Sequence, residues 1–179
     1  MSVPRLDPMP ADRPLTLRSA RTQDVPVIQA LVEPLARERV LLQKEAVAYY
    51  EAIQEFVVAE EADGTLAGFG ALHVMWQDIA EVRTLAVSEA HRGAGVGHLI
   101  IEELLDRARA VGVERVFCLT FEVEFFRRHG FEVMADQSAV DPEVYAELLR
   151  STDEGVAEFL DLARVKPNTL GNTRMLKVL

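Results

Sequence analysis

Cysteine is almost absent from this chain of 179 residues: Cys118 stands alone. No intrachain disulfide can form, which fits a reducing cytoplasm. Positive charge is in deficit, with 19 Lys and Arg against 29 Asp and Glu and a formal charge of −10. A field of that sign repels nucleic-acid backbones and anionic headgroups, so a general nucleic-acid or anionic-membrane binder is excluded. The N-terminus carries no long apolar run, so no signal peptide or membrane span is expected. His73, His91, His98 and His129 show no metal-ligand spacing such as His-Glu-x-x-His, and no metal is expected. Internal repeats and low-complexity tracts are missing as well. What remains is an ordinary globular mixture, 49% hydrophobic and 27% charged. Its length suits one domain over residues 15–179. Pro4, Pro8, Pro10 and Pro14 make residues 1–14 an extended, flexible arm.

The most informative stretch is Leu85 to Gly97. An apolar strand empties into a glycine-rich turn led by Arg92, and a helix starts at once with Ile100, Ile101, Leu104, Leu105 and Ala108 on its buried side. Such a turn offers several backbone N–H groups to one point at the positive end of a helix dipole, which suits a pyrophosphate. Three phosphate loops compete. A nucleotide-triphosphate loop needs a lysine that the segment from Gly93 to His98 lacks. A dinucleotide fingerprint needs Gly-x-Gly-x-x-Gly, and His98 stands where its third glycine belongs. The third pattern is Arg-x-x-Gly-x-Gly, filled by Arg92, Gly95 and Gly97. The anion-binding stretch therefore runs Arg92, Gly93, Ala94, Gly95, Val96, Gly97, against a global field of the wrong sign.

The remaining elements follow from periodicity and turn chemistry. Strands are predicted at Leu15–Arg18, Phe56–Ala59, Leu66–Trp76, Ile79–Val87, Arg115–Leu119, Phe131–Met134 and Arg174–Leu179. Thr22 is the expected N-cap of a helix with Val25, Ile28, Leu31, Val32 and Leu35 on one stripe. Further helices are expected over Glu45–Ile53, Val96–Ala110 with Gly112 as its stop, Glu122–His129, and Asp141–Leu149. Ser151 and Glu154 fit a capping box for one more. Asp63-Gly64 marks a hairpin. This order gives a three-layer α/β/α domain with a mixed, largely antiparallel sheet.

The Arg92–Gly97 loop resembles the acetyl-coenzyme-A loop of the GCN5-related N-acetyltransferases, the GNAT superfamily. Within it the chain is similar to the short bacterial N-acetylglutamate synthases. That resemblance rests on Ala80-Glu81-Val82-Arg83-Thr84-Leu85-Ala86-Val87, Val116-Phe117-Cys118-Leu119-Thr120, Phe125-Phe126-Arg127-Arg128-His129-Gly130-Phe131 and the tail Asn172-Thr173-Arg174-Met175-Leu176. It implies a sheet splayed between Ile79–Val87 and Arg115–Leu119, with the pantetheine arm in the gap. The backbone of Leu85, Ala86 and Val87 would then pair with the pantetheine amides as a strand would. It implies acetyl transfer from acetyl-coenzyme A to the α-amine of glutamate, the first step of arginine synthesis, by direct attack in a ternary complex. Longer members carry an amino-acid-kinase-like domain that binds arginine as feedback inhibitor; only the arm precedes Leu15 here, so that mode is not expected. Many members end in an Arg-Ser-Lys-type motif where this tail has Asn172-Thr173-Arg174, which admits glutamine as acceptor.

Acetyl transfer to an ammonium needs a base, stabilisation of the thioester oxygen, and departure of a thiolate. Glu81, a few residues upstream of the pantetheine strand, is the candidate base; the other reading of it is an ion-pair partner for Arg83 on the same strand face. The backbone N–H near Leu85 is the candidate for polarising the thioester carbonyl. Lys44, Arg83, Thr84, Asn172, Thr173 and Arg174 are candidates for holding the acceptor. The general acid has no candidate, since Phe125 and Phe126 occupy the helix where relatives often use tyrosine. Cys118 reads as a buried small hydrophobe, and His129 as a cation at a helix end. The expected partners are a small amino-acid substrate and, for a small metabolic enzyme, a second copy in a homodimer. Acetylation of a peptide N-terminus or polyamine, and a non-catalytic acyl-coenzyme-A sensor, stay open as alternatives.

Overall fold

The structure is a computed structural model and describes residues 14–134, 140–160 and 171–179. The arm expected over residues 1–14 lies outside the described residues apart from Pro14. Seven strands form one sheet in the order β1-β2-β3-β4-β5-β7-β6. They are β1 (Thr16–Ser19), β2 (Phe56–Glu60), β3 (Leu66–Trp76), β4 (Ile79–Val87), β5 (Arg115–Thr120), β6 (Glu132–Val133) and β7 (Thr173–Val178). Every pairing is antiparallel except β4 with β5. The helices are α1 (Val25–Arg37), α2 (Ala46–Glu51), α3 (Val96–Val111), α4 (Val123–Arg128), α5 (Pro142–Leu148) and α6 (Glu154–Phe159).

The sheet has two apolar faces. On one lies α3, whose Val96, Ile100, Ile101, Leu104, Leu105 and Ala108 are at most 1% exposed. They recur at helical spacing and pack on Val57, Ala59, Ala80, Val82 and Val116 of the strands. Each large aliphatic chain so buried stabilises the fold by roughly 1.5–3 kcal/mol. The opposite face is covered by two separate groups. Val25, Ile28 and Val32 of α1, with Tyr49 of α2, pack on Phe56, Val58 and Phe69. Val156, Phe159 and Leu148 from α5 and α6 pack on Ile79 and Phe117. Between those two groups this face of β4 carries Glu81 and Arg83, charged side chains with an apolar cluster on either side.

Two local features differ from the periodicity reading. Thr22 does not cap α1: it opens a 3-10 turn, Thr22–Asp24, and Asp24 accepts from the Arg21 N–H at 2.7 Å. Asp24 is committed there because Arg18 clamps it and Glu60 together, at 2.7 Å and 2.8 Å, tying β1 and β2 to the turn. The cap of α6 is Asp153, which accepts from the Val156 N–H at 3.2 Å, while the Ser151 hydroxyl accepts from the Asp153 N–H at 3.1 Å. The cap thus lies two residues beyond Ser151, and with Val156 at the third helical position no reciprocal box with Glu154 forms.

Candidate active site

Strand β4 parts from β5 and is bulged against β3. Against β5 it pairs only at Ile79, Ala80 and Glu81, opposite Arg115, Val116 and Phe117. From Val82 onward the two strands part, so the backbone of residues 82–87 faces a gap. Against β3 the register slips: Ala86 faces Phe69 and Arg83 faces Ala71, so Thr84 and Leu85 together oppose Gly70. This is a β-bulge, with Thr84 at φ +56°. A β-branched residue rarely adopts that backbone, and the strain is of order 1–3 kcal/mol. The bulge is held by close packing: a Cβ on Gly70 would lie 3.0 Å from Ile100 and Leu104 and 3.1 Å from Leu85.

Past Val87 the chain enters the glycine turn. The His91 ring lies between the Ser88 hydroxyl, 2.6 Å away, and the Glu61 carboxylate, so the turn is tied to the β2–β3 hairpin. Gly93 and Gly95 take φ +79° and +81°, with nothing within 4 Å of where a Cβ would stand. Gly95 is the left-handed N-cap of α3. The first N–H groups of a helix have no partner within it. Those of Val96 and Gly97 therefore open toward the turn, beside the exposed Arg92. Phe125 of α4 lies 3.3 Å from a notional Cβ on Gly97, so a larger residue there would require that ring to give by a few tenths of an ångström. Glycine backbone with open space, unpaired helix amides and a neighbouring guanidinium suit a diphosphate.

Glu81 sits where β4 and β5 separate. It is 4% exposed, and its Oε2 has no hydrogen-bond partner. Gly155 lies directly over it: a Cβ there would collide with the carboxylate. Burial pushes the Glu81 carboxyl up to about 7; the Arg83 and Lys44 cations oppose that rise, and Asp153 and Glu158 add to it. Arg83 Nη1 stands 3.7 Å from Glu81 Oε2. The same guanidinium donates to Asp153 Oδ2 at 2.9 Å and to Glu55 Oε2 at 3.1 Å. His73 Nδ1 is 2.7 Å from Glu55 Oε1, and its Nε2 is 3.7 Å from Asp153 Oδ2. Lys44 feels this same cluster; burial first, then Arg83, lower its pKa.

The predicted site residues thus fall into three places. Arg92 to Gly97 form the turn, and Leu85, Ala86 and Val87 line the gap. Lys44, Glu81 and Arg83 meet on the β4 face, with Thr84 at the bulge between them and Leu85. The tail residues occupy β7 and its start. Thr173 pairs with Thr120, and Arg174 pairs with Leu119 and donates to the Phe159 carbonyl at the end of α6. The Oδ1 atom of Asn172 is buried without a hydrogen-bond partner among the described residues. Glu55, His73, Asp153 and Glu158 were not legible as site residues. They come from the turn before β2, from β3 and from α6, and no spacing links them to Glu81. Among the described residues no group of His, Cys, Asp and Glu is placed to hold a metal, and no helix is long and apolar enough to cross a membrane.

The comparisons agree with this geometry. The Acetyltransferase (GNAT) family profile matches residues 27–131. An amino-acid acetyltransferase of Mycobacterium tuberculosis is 54% identical over 172 residues, covering 95% of this chain and 98% of that protein. A crystal structure of a Mycobacterium tuberculosis protein in complex with CoA and NLQ superposes with a TM-score of 0.86 at 54% identity, covering 92% of this chain and 99% of that one. N-acetylglutamate synthase from Neisseria gonorrhoeae, complexed with coenzyme A and N-acetyl-glutamate, superposes with a TM-score of 0.74 at 25% identity over 94% of this chain. This chain spans 36% of that longer protein. With its splayed β4–β5 pair, glycine turn and family match in agreement, the chain belongs to the GNAT family of acetyltransferases.

Proposed function

We propose that this chain moves acetyl from acetyl-coenzyme A to the α-amine of L-glutamate, with L-glutamine as the second candidate acceptor, in the first step of arginine biosynthesis. The observation that carries the reading is Glu81, a buried carboxyl with a pKa near 7, placed where the strands open. A base titrating near 7 is deprotonated often enough at neutral pH and still takes a proton effectively. Acetyl-coenzyme A supplies the thioester; the chain's own groups do the rest. Amides of the Arg92–Gly97 turn and the Arg92 side chain hold the diphosphate, and the backbone of Leu85 to Val87 aligns the pantetheine arm along the gap. The bulge turns the backbone near Leu85 out of the β3 ladder, which leaves its N–H able to stabilise charge on the thioester oxygen. Glu81, directly or through one water, takes the proton from the acceptor ammonium. The amine nitrogen then bonds to the acetyl carbon, the C–S bond breaks, the sulfur leaves with its electron pair, and the second proton of the amine passes to the thiolate through solvent.

The cations and amides around Glu81 hold the acceptor. Arg83 is already engaged by two carboxylates. Lys44 makes no hydrogen bond or ion pair to the described residues that would compete with an acceptor carboxylate. The buried Oδ1 of Asn172 seeks an N–H donor. A side-chain carboxamide would satisfy it, and the same amide turned over would present Nδ2–H to a carboxylate, so Asn172 suits either acceptor. Among the relatives, the name N-acetylglutamate synthase supports glutamate, and the name amino-acid acetyltransferase supports an amino-acid acceptor without choosing between the two. The test is thiol release from acetyl-coenzyme A with glutamate, glutamine, aspartate, lysine and spermidine in turn. Release with glutamate or glutamine alone is expected. Release with spermidine and neither of these contradicts the reading, and tight coenzyme binding without release for any acceptor points to a sensor.

A further inference from the structure

The next step rests on the reading of Glu81 as base, and concerns what keeps it one. Arg83 is the neighbouring cation on the same strand face, two residues along β4. A direct arginine–carboxylate pair would make Glu81 a much weaker base, since an opposite charge in contact lowers a carboxyl pKa by about 1–3 units. Yet Arg83 Nη1 stops 3.7 Å from Glu81 Oε2, and that oxygen has no hydrogen bond among the described residues. The guanidinium is drawn away on two sides, by Asp153 Oδ2 at 2.9 Å and Glu55 Oε2 at 3.1 Å. Both anchors are themselves fixed. His73 Nδ1 bonds Glu55 Oε1 at 2.7 Å, and the Val156 N–H bonds Asp153 Oδ1 at 3.2 Å.

We propose that Glu55 and Asp153 are positioning residues that hold the Arg83 guanidinium at ion-pair distance but out of hydrogen-bond contact with Glu81, so that the Glu81 carboxylate stays able to accept the acceptor's proton. Each anchor comes from a different element, so the guanidinium is braced rather than merely neutralised. Other charges face Glu81 as well. Lys44 reaches it from the segment before α2, and Glu158 from α6. On β5 the Cys118 thiol is nearby, but burial pushes its pKa well above the ordinary value, so it stays neutral. None of these groups ties down the guanidinium, and the test leaves them unchanged.

The experiment is the pH dependence of kcat/KM for glutamate or glutamine with saturating acetyl-coenzyme A, in the full chain. The variants are Glu55→Gln, Asp153→Asn, Arg83→Gln and the two doubles with Arg83→Gln. Asparagine caps a helix as well as aspartate does, and glutamine keeps a hydrogen bond to His73, so shape is preserved while charge is removed. Glu55→Gln and Asp153→Asn are each expected to move the acid limb down by about one pH unit and to lower the plateau several-fold. Arg83→Gln moves the limb up. In the Arg83→Gln background Glu55→Gln no longer shifts it, and Asp153→Asn shifts it less than when Arg83 is present, because only the direct charge effect of Asp153 on Glu81 remains. An unmoved limb in both single variants overturns the proposal, as does a shift of equal size with and without Arg83. If Asp153→Asn does not fold, Glu55→Gln and its double carry the same comparison. Failure of the underlying reading looks different: in Glu81→Gln the acid limb near pH 7 would persist.

Discussion

Glu81 combines a cost in stability with a use in chemistry. Its carboxyl titrates near 4.5 in an unfolded chain and near 7 in the fold. A raised folded pKa means full benefit below pH 4.5 and loss as pH rises through 7, so ionising this group opposes folding. The penalty above pH 7 is on the order of 3 kcal/mol. Glu81→Gln is therefore expected to be more stable than the parent at pH 8, by about 1–3 kcal/mol, with the gap closing toward pH 4.5; urea unfolding at the two pH values checks it. Gly155 is bound to the same group. Any Cβ there would overlap the Glu81 carboxylate. Gly155→Ala is expected to lower turnover at least tenfold by displacing either α6 or the carboxylate, since small misplacements at a reacting centre are severe; steady-state kinetics with matched circular dichroism measures it. Glu81 itself was named from the sequence because it lies a few residues upstream of Leu85–Val87, the stretch that the family resemblance assigns to pantetheine. The pull on Arg83 was not: Asp153 lies 70 positions away from it in the chain, and nothing local to Ser151-Thr152-Asp153 signals more than a helix start.

The two longest strands were read to the residue and the long helix α3 to within one, while short elements with competing signals were not. Strands Leu66–Trp76 and Ile79–Val87 have the bounds that their apolar runs predict. β6 shrinks to Glu132–Val133, which pair with Leu176 and Met175 of β7; Met134 adds a single N–H bond to the Arg174 carbonyl and does not extend the ladder. The bulge was hidden entirely. Propensity argues against a left-handed threonine inside a strand, and only the packing of Gly70 and Leu85 beneath α3 makes it possible. The splay it accompanies came from resemblance, not from pattern. The glycine turn, by contrast, was plain: left-handed Gly93 and Gly95, an apolar strand before and α3 after. Gly95→Asp places a negative side chain in the open space above the turn and strains the N-cap backbone. It is expected to weaken coenzyme-A binding at least a hundredfold, read by calorimetry, with thermal unfolding showing that the fold persists. Binding at the parental affinity would remove the turn as the diphosphate site.

Across the whole chain, a formal charge of −10 surrounds a site built for anions. The long-range field repels both acetyl-coenzyme A and an acidic amino acid, while the short-range cations, Arg92 at the turn and Lys44 beside Glu81, attract them. Salt screens the first more than the second, because exposed charges beyond a Debye length of about 8 Å are damped first. Raising ionic strength from low values toward 0.15 M is therefore expected to increase kcat/KM for both substrates, a few-fold, in stopped-flow or steady-state assays. A monotonic fall would mean that the local cations dominate at long range.

The account turns on Glu81 taking a proton at the mouth of the β4–β5 gap. The direct measurement is kcat/KM for the amino-acid acceptor from pH 5.5 to 9 in the parent and in Glu81→Gln. The parent should lose activity on the acid side with an apparent pKa near 7, and the variant should be slower by about a hundredfold or more with that limb gone. A variant that keeps both the rate and the limb would contradict the account.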